Sequence, residues 1–374
     1  MPYELLAAPF LEKHLLLRPG RQNGATLPAH MYDALRTASR QDGQVPTWLV
    51  DTAHQAWNLD LSGRDMDGTV LVREPSTYGY CRASYELNLG CNFDCSHCYL
   101  AQKRFAGLDW PEREKLLTAM RDAGVVWLQL TGGEPMIDRL WGETYRCAYE
   151  LGMMLSVSTN ASVTWKPANI AMLTARRPYR VTVSVYGASE ESFDGLTKRR
   201  GSYQRFRRGV EAALEVGLPL SLNLIITESC AHEEQQMIDM ARAWGVPYHL
   251  FSNMSPTIYG GAESLPAQSQ EHLRERKPFA GCHAGHTFFH SDPHGRISIC
   301  KVGRDEQIDL VAEGVEGLSR LGQIADRLLL RTGGCSGCAL SGTCRVCRPL
   351  AKLYQEAKAP LQMYCQHATQ EVSA

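Results

Sequence analysis

The sequence predicts an α/β protein built on six consecutive parallel βα units, with a small strand-and-helix module ahead of them and a cysteine-rich segment behind. Three observations carry this. Between Tyr85 and about Asn253, strand-like apolar runs alternate with helix-sized segments across short loops, the pattern of parallel βα units. Cys91, Cys95 and Cys98 follow the first run with the spacing C-x3-C-x2-C, and from about Gly261 the alternation stops and cysteines crowd in. The expected divisions are 1–78, 79–260 and 261–374. A chain of 374 residues with 44% hydrophobic side chains is long enough for two to three ordinary cores, at roughly 150 residues each.

Taken in order, Lys13 to Arg18 reads as a strand closed by Pro19-Gly20. Pro28 to Ser39 and Pro46 to Trp57 are helix-sized, with apolar residues at 31, 35, 49, 50, 53 and 57, and Gly68 to Arg73 is a last short strand. The six strands that follow are Tyr85 to Leu89, Val125 to Leu130, Met154 to Ser158, Arg180 to Val185, Leu220 to Ile226 and Tyr248 to Ser252. Helices between them include Pro111 to Ala123, stopped by Gly124, and Tyr203 to Val216, stopped by Gly217, each ending on the glycine that helix termini favour. Pro256 to Lys277, polar and Gly-containing, reads as a linker with a connecting helix.

The chemistry centres on Cys91-Asn92-Phe93-Asp94-Cys95-Ser96-His97-Cys98-Tyr99. Three thiolates on one short loop can hold three irons of a cubane cluster and leave the fourth open to a chelating ligand. The alternative is a zinc knuckle with His97 as fourth ligand, although His97 stands between two of the cysteines and its ring would have to fold back on the loop. Thr131-Gly132-Gly133-Glu134-Pro135 follows the second strand directly, where glycines permit close backbone approach and Glu134 offers an acceptor; on its own it is equally a tight turn with a solvated acid. Near the C-terminus come Cys282, Cys300, then Cys335-x2-Cys338-x5-Cys344-x2-Cys347, then Cys365. The two C-x2-C pairs also fit a zinc ribbon, but seven cysteines overfill one tetrahedral site.

Read together, C-x3-C-x2-C after a first strand and GGEP after the second resemble the radical S-adenosylmethionine (SAM) enzymes. The resemblance implies a partial (β/α)6, TIM-like barrel and a 4Fe-4S cluster on Cys91, Cys95 and Cys98. The open iron of that cluster is chelated by SAM, whose reductive cleavage yields a 5'-deoxyadenosyl radical. Gly132, Gly133 and Glu134 then bind the SAM amino group, Ser158, Asn160 and Ser184 at strand ends meet its ribose and carboxylate, and one of Lys198, Arg199 and Arg200, taken as Arg199, pairs with the carboxylate. The C-terminal cysteines and Gly295 resemble a SPASM domain with two auxiliary 4Fe-4S clusters, except that two residues rather than three separate Cys344 from Cys347. By order, Cys335, Cys338, Cys344 and Cys365 hold one cluster. Cys282, Cys300 and Cys347 hold the other one ligand short, with His283, His286, His290 or Cys230 available to close it. Residues 1–78 loosely resemble the winged-helix peptide-binding element that precedes many maturases of ribosomally made peptides; the alternative is an extension that only covers the barrel mouth.

The function implied is a peptide maturase that abstracts hydrogen from a precursor peptide, leader plus core, and closes a thioether, C-C or C-O cross-link, with electrons from a flavodoxin or ferredoxin. The alternatives are oxidation, decarboxylation or epimerisation of a peptide residue or small molecule, and, last, a non-enzymatic zinc or electron-transfer protein. Sulfatase-type maturases carry an Asp base after the second SPASM cysteine, where this chain has Lys301, and no catalytic base announces itself. Cys147 reads as core; Cys81 and Cys230 are either small buried hydrophobes or the hydrogen donor an epimerase requires. A net charge of -1 and the lack of a long apolar run argue against a nucleic-acid or membrane partner. With no secretory signal pattern and an odd thirteen cysteines, a reducing cytoplasm and metal ligation are expected rather than disulfides.

Overall fold

The structure, a computed structural model, describes residues 3–260, 263–274, 279, 281–328, 344 and 346–367. Its N-terminal unit comprises β1 (Leu5–Phe10), β2 (Lys13–Leu17), β3 (Gly24–Leu27), α1 (Ala29–Arg40), α2 (Thr47–Trp57) and β4 (Val70–Val72). The sheet order is β3-β2-β1-β4, with β1 antiparallel to β2 and parallel to β4. β1 lies outside the elements expected here, for a physical reason. Leu5 and Ala7 pack against α1 and α2 while Leu6 and Ala8 join the core of the large sheet, and a strand covered on both faces loses the polar alternation that would reveal it.

The second sheet contains β5 (Arg82–Glu86), β6 (Trp127–Thr131), β7 (Met154–Thr159), β8 (Arg180–Val185), β9 (Leu220–Ile225) and β10 (Tyr248–Phe251), each parallel to the next. Between them run α3 (Trp110–Asp122), α4 (Trp141–Glu150), α5 (Pro167–Ala175), α6 (Glu190–Thr197), α7 (Ser202–Glu215) and α8 (Glu234–Ala243). Local chemistry sets these helices. Asp109 caps α3 by accepting from the Glu112 backbone N-H at 3.1 Å, Pro111 fits its first turn, and Gly124 follows it at φ +99°. Beyond β5 the sheet continues through β11 (Phe288–Ser291), parallel to β5, then antiparallel β12 (Arg296–Ser298) and β13 (Ile308–Asp309). The C-terminal region therefore starts as an extension of the same sheet, and then carries α9 (Leu310–Glu313), α10 (Leu321–Asp326) and α11 (Arg348–Glu356).

In the described part of 256–277 the connecting helix is replaced by a single 3-10 turn at Leu265–Ala267. Glu263 Oε1 accepts from the backbone N-H groups of Thr257, Ser264 and Leu265, a local bonding scheme that competes with helix formation.

The N-terminal unit sits at the amino ends of the parallel strands. Tyr3 donates to the Tyr149 carbonyl just before β7 at 2.8 Å, and Phe10 meets Trp127, the first residue of β6, edge-on at 5.0 Å. Buried Arg73 donates to the carbonyls of Val125 (3.0 Å), Gly152 (3.0 Å) and Arg121 (2.6 Å). Burial lowers its pKa to about 10, so the guanidinium stays charged at neutral pH. This unit does not cover the opposite, carboxyl end of the sheet, where the cysteine loop and GGEP lie. Because Leu6 and Ala8 belong to the large core, deleting the unit would expose that core; a point change isolates the joint instead. Arg73→Ala leaves three buried carbonyls without a donor and is expected to cost roughly 3 to 5 kcal/mol. A urea midpoint matching the parent's would show that Arg73 does not hold the two parts together.

Candidate functional site

The cysteine loop leaves β5 and rests on the carboxyl end of α6, where Asp94 N-H donates to Thr197 O at 2.9 Å and Ser96 N-H to Leu196 O at 3.3 Å. Cys91, Cys95 and Cys98 are all partly buried. Phe93 N-H points at Cys91 Sγ, 3.4 Å away, and Lys103 Nζ at Cys98 Sγ, 3.2 Å away. Burial raises the Cys91 pKa to about 11 and pushes that of Cys95 higher still, with the neighbouring thiols adding to the rise at Cys95. Cys91 and Cys95, disfavoured as anions by burial, would ionise when a multivalent cation arrives, since metal binding deprotonates a coordinating thiol.

The GGEP loop lies directly on the cysteine loop. Gly133 N-H donates to Asn88 O at 3.0 Å and Glu134 N-H to Gly90 O at 2.9 Å. A Cβ at Gly132, which has φ +138°, would overlap Asn88 O, and one at Gly133 would overlap Gly90 O. The glycines thus admit the chain's own backbone, the strand end that launches Cys91, rather than acting only toward a ligand. Glu134 is fully buried. Its carboxylate accepts from Met136 N-H (3.1 Å), Thr159 Oγ1 (2.8 and 2.9 Å) and Asn160 N-H (2.7 Å). Burial nonetheless raises its pKa to about 7 against those donors, an environment that a ligand ammonium would complement.

Asn160 joins the two motifs, its Nδ2 reaching Asn92 Oδ1 at 3.0 Å and lying 3.8 Å from Cys91 Sγ. Ser158 accepts from Gln129 Nε2 at 2.7 Å. Ser184 pairs with Tyr186, whose ring lies 5.1 Å from that of His97. Arg199 is exposed on the turn after α6. The carboxyl ends of β5 to β8 therefore bring together every residue proposed from sequence for SAM and the first cluster except Arg199, which lies outside this group. Thr159, which holds Glu134, was missed; its only signal is a hydroxyl at a strand end beside two others.

A second polar group sits at the same end of the sheet. Glu86, the last residue of β5 and fully buried, accepts from Arg304 Nη2 (2.9 Å) and Nη1 (3.1 Å) and from Tyr259 Oη (2.8 Å). Arg304 also donates to the Tyr259 hydroxyl. Gln102 Nε2 donates to Tyr259 O at 2.6 Å and Ile258 N-H to Tyr99 O at 2.8 Å, so the group ties the cysteine loop to the loop following Cys300. The signal was present in sequence as a lone acid inside the apolar run Tyr85 to Leu89.

His290 of β11 is also fully buried, with Nδ1 2.7 Å from Ser84 Oγ and Nε2 3.5 Å from Glu86 Oε1. Burial lowers its pKa to about 4, although Glu86 pulls the other way. The folded state then favours the neutral ring, and its contribution is whole above the unfolded value near 6.5 and lost as pH falls toward 4. On the order of 3 kcal/mol rides on that window. His290→Gln should flatten the fall in urea midpoint between pH 7 and about 4.5; an unchanged slope would contradict this.

Of the C-terminal cysteines, Cys335 and Cys338 lie outside the described residues. Cys282 is exposed, and Cys300, Cys344, Cys347 and Cys365 are partly buried. The Cys300 thiol, raised in pKa first by burial, also feels Cys347 and Cys282, so these three thiols are neighbours. Two of the candidate fourth ligands are already engaged: His290 as described, and His286 with Asp326 Oδ1 at 2.9 Å. The buried Cys230 thiol points at Ile225 O, 3.2 Å away.

Residues 85–241 match the Radical SAM superfamily. The AdoMet-dependent heme synthase of Methanosarcina barkeri is 28% identical over 172 residues, covering 45% of this chain and 49% of that protein. The antilisterial bacteriocin subtilosin biosynthesis protein AlbA of Bacillus subtilis is 21% identical over 242 residues, covering 58% and 54%. The chain thus spans about half the length of these relatives. In fold it is similar to Streptococcus suis SuiB bound to precursor peptide SuiA, with a TM-score of 0.61 at 13% identity over 91% of this chain and 93% of that one.

Proposed function

Residues 85–241 are a radical SAM domain, and on that premise we propose that the protein is a maturase that modifies a precursor peptide and closes a cross-link within it, of thioether, C-C or C-O type. The observation that carries this reading is the extent of the fold similarity: it covers 91% of the chain, well beyond the catalytic domain, and so includes most of the flanking regions. The neighbour in question was captured with a precursor peptide, and AlbA takes part in bacteriocin biosynthesis.

In this reading Cys91, Cys95 and Cys98 hold the 4Fe-4S cluster, and the GGEP loop receives the SAM amino group. Ser158, Asn160 and Ser184 supply further SAM contacts, whereas Arg199, exposed on the turn after α6, stands apart from them. Bound together, cluster and SAM supply a 5'-deoxyadenosyl radical. The chain's own residues orient and exclude water: Thr159 and Asn160 fix Glu134 beneath the loop, and Glu86, Arg304 and Tyr259 close the sheet end beside it. Cys282, Cys300 and Cys347, with Cys335, Cys338, Cys344 and Cys365, hold two auxiliary 4Fe-4S clusters of a SPASM domain. The N-terminal unit, at the far end of the sheet, binds the leader as a winged-helix-like module. Oxygen-sensitive clusters suit a cytoplasmic setting. A second reading, action on a small molecule, is favoured by the likeness to a heme synthase.

The test uses the anaerobically reconstituted full chain with SAM, reductant and a synthetic peptide encoded beside its gene. Formation of one cross-link removes two hydrogen atoms, which mass spectrometry reads directly. A peptide recovered unaltered while SAM is cleaved would favour the small-molecule reading.

A further inference from the structure

One lysine is folded back onto the cysteine loop and meets a sulfur there instead of an acid. Lys103 is partly buried, and its Nζ lies 3.2 Å from Cys98 Sγ. Among the described residues no carboxylate comes within ion-pair distance of it and it has no second hydrogen-bond partner, whereas Lys352, for instance, answers both Asp305 and Glu356. Its charge reaches beyond Cys98. At Cys91 and Cys95 burial raises the thiol pKa, and the Lys103 ammonium works against that rise. Burial would lower the pKa of Lys103 in turn, yet the three thiols, Cys98 first, hold it above the ordinary lysine value. One ammonium therefore faces the whole sulfur set.

The backbone fixes this placement on both sides. Ala101 takes a left-handed conformation at φ +52° and its N-H donates to Cys98 O at 3.0 Å, which turns the chain back toward the loop. Gln102 is then tied to Tyr259 O, and the Arg104 carbonyl accepts from Leu89 N-H at 3.1 Å, so both neighbours of Lys103 are anchored. The Phe105 ring packs directly on Gly90, where a Cβ would overlap it. A lysine stem held from both ends of its own backbone loses little further freedom when its ammonium settles on a sulfur. Net charge and hydrogen bonds to the sulfurs are among the features that set the potential of an iron-sulfur centre. Three thiolates on a 4Fe-4S core in its 2+ state leave about one negative charge, and reduction adds another; a cation in contact with a thiolate stabilises the reduced state more than the oxidised one.

We propose that Lys103 is a positioning residue for electron entry: by donating a charged hydrogen bond to the Cys98 sulfur it raises the reduction potential of the centre on Cys91, Cys95 and Cys98. This deepens the reading of those cysteines as a cluster site and rests on it. One electron enters from an external one-electron reductant and no atom moves. The 4Fe-4S centre goes from the 2+ to the 1+ state, and Lys103 keeps its proton throughout.

The experiment is a mediated redox titration of the reconstituted full chain, without SAM or peptide, followed by electron paramagnetic resonance. The signal of this centre is the one missing from the Cys91/Cys95/Cys98 triple Ala protein. Lys103→Met removes the charge and keeps the apolar stem, Lys103→Gln removes the charge and keeps a neutral N-H donor, and Lys103→Arg keeps both charge and donors. Lys115→Met on α3, an exposed site, makes the same change in net charge elsewhere. In Lys103→Met and Lys103→Gln, with iron content unchanged, the ratio of reduced to oxidised centre at a fixed potential should fall roughly tenfold or more, which for one electron is a shift of about 59 mV to more negative values. Lys103→Arg and Lys115→Met should stay within about threefold of the parent. A parent-like midpoint in Lys103→Met or Lys103→Gln would overturn the proposal, as would an equal shift in Lys103→Arg or Lys115→Met. Loss of this centre's iron from both Lys103→Met and Lys103→Gln would give Lys103 a part in assembly instead and also overturn it. If no signal separates the parent from the triple Ala protein, the cluster reading itself falls, a separate and recognisable outcome.

Discussion

Replacing Cys91, Cys95 and Cys98 together by Ala is expected to abolish 5'-deoxyadenosine formation and to leave the protein folded, with the iron proposed for its C-terminal cysteines retained. The reason lies in how the loop is held. Its seat on α6 is made by backbone bonds of Asp94 and Ser96, and its contact with GGEP by the backbone of Gly90, none of which involves a thiol. The triple variant therefore keeps its shape and loses only its three sulfur donors. If these three cysteines hold the proposed 4Fe-4S cluster, iron content should fall by about four atoms per chain, and any iron on the C-terminal cysteines should remain. Circular dichroism and iron analysis establish the first half, and chromatography of the nucleoside products the second. Retained 5'-deoxyadenosine in this variant would sink the radical SAM assignment of the loop.

What was legible in sequence follows from where the physics is local. Arg180 to Val185 coincides with β8, and the other five strands fall within three residues of their expected starts, because runs such as Val181, Val183 and Val185 are buried in the sheet and carry the signal on their own. The motif cysteines and GGEP were equally plain, since ligand spacing and glycine demand are written in adjacent residues. What could not be read depends on contacts remote in sequence. β1 was hidden by having two cores to satisfy. The place of the N-terminal unit depends on Arg73 reaching Val125 and Gly152, which no window of sequence contains. Gly133 could be seen to require close approach, but not that Gly90 is what approaches it. Thr159 and Asn160 were ordinary strand-end residues until folding set them against Glu134 and Cys91.

Glu86→Ala should be the most destabilising single change at the carboxyl end of the sheet, because it strands a charge. Arg304 is almost fully buried and gives Glu86 two hydrogen bonds; without the carboxylate its guanidinium has only Tyr259 Oη and Lys301 O to answer it. Removing one partner of such a pair costs roughly 3 to 5 kcal/mol, whereas removing both costs much less, since the pair's attraction largely offsets its own desolvation. Glu86→Gln/Arg304→Met should therefore be less destabilised than Glu86→Ala, and a double-mutant cycle should show coupling of about 1 to 3 kcal/mol. Additive losses would mean that the two groups act independently. Acid titration separates this pair from His290. Burial would raise the Glu86 pKa, yet His290 and Arg304 hold it well below the usual carboxylate range. Its contribution is therefore whole above the unfolded value near pH 4.3 and is lost only below it. The pH 4.5 to 6.5 slope then belongs to His290, and the loss at lower pH belongs to Glu86, whose protonation releases Arg304, the residue that reaches from just past Cys300 to the foot of the Cys91 loop.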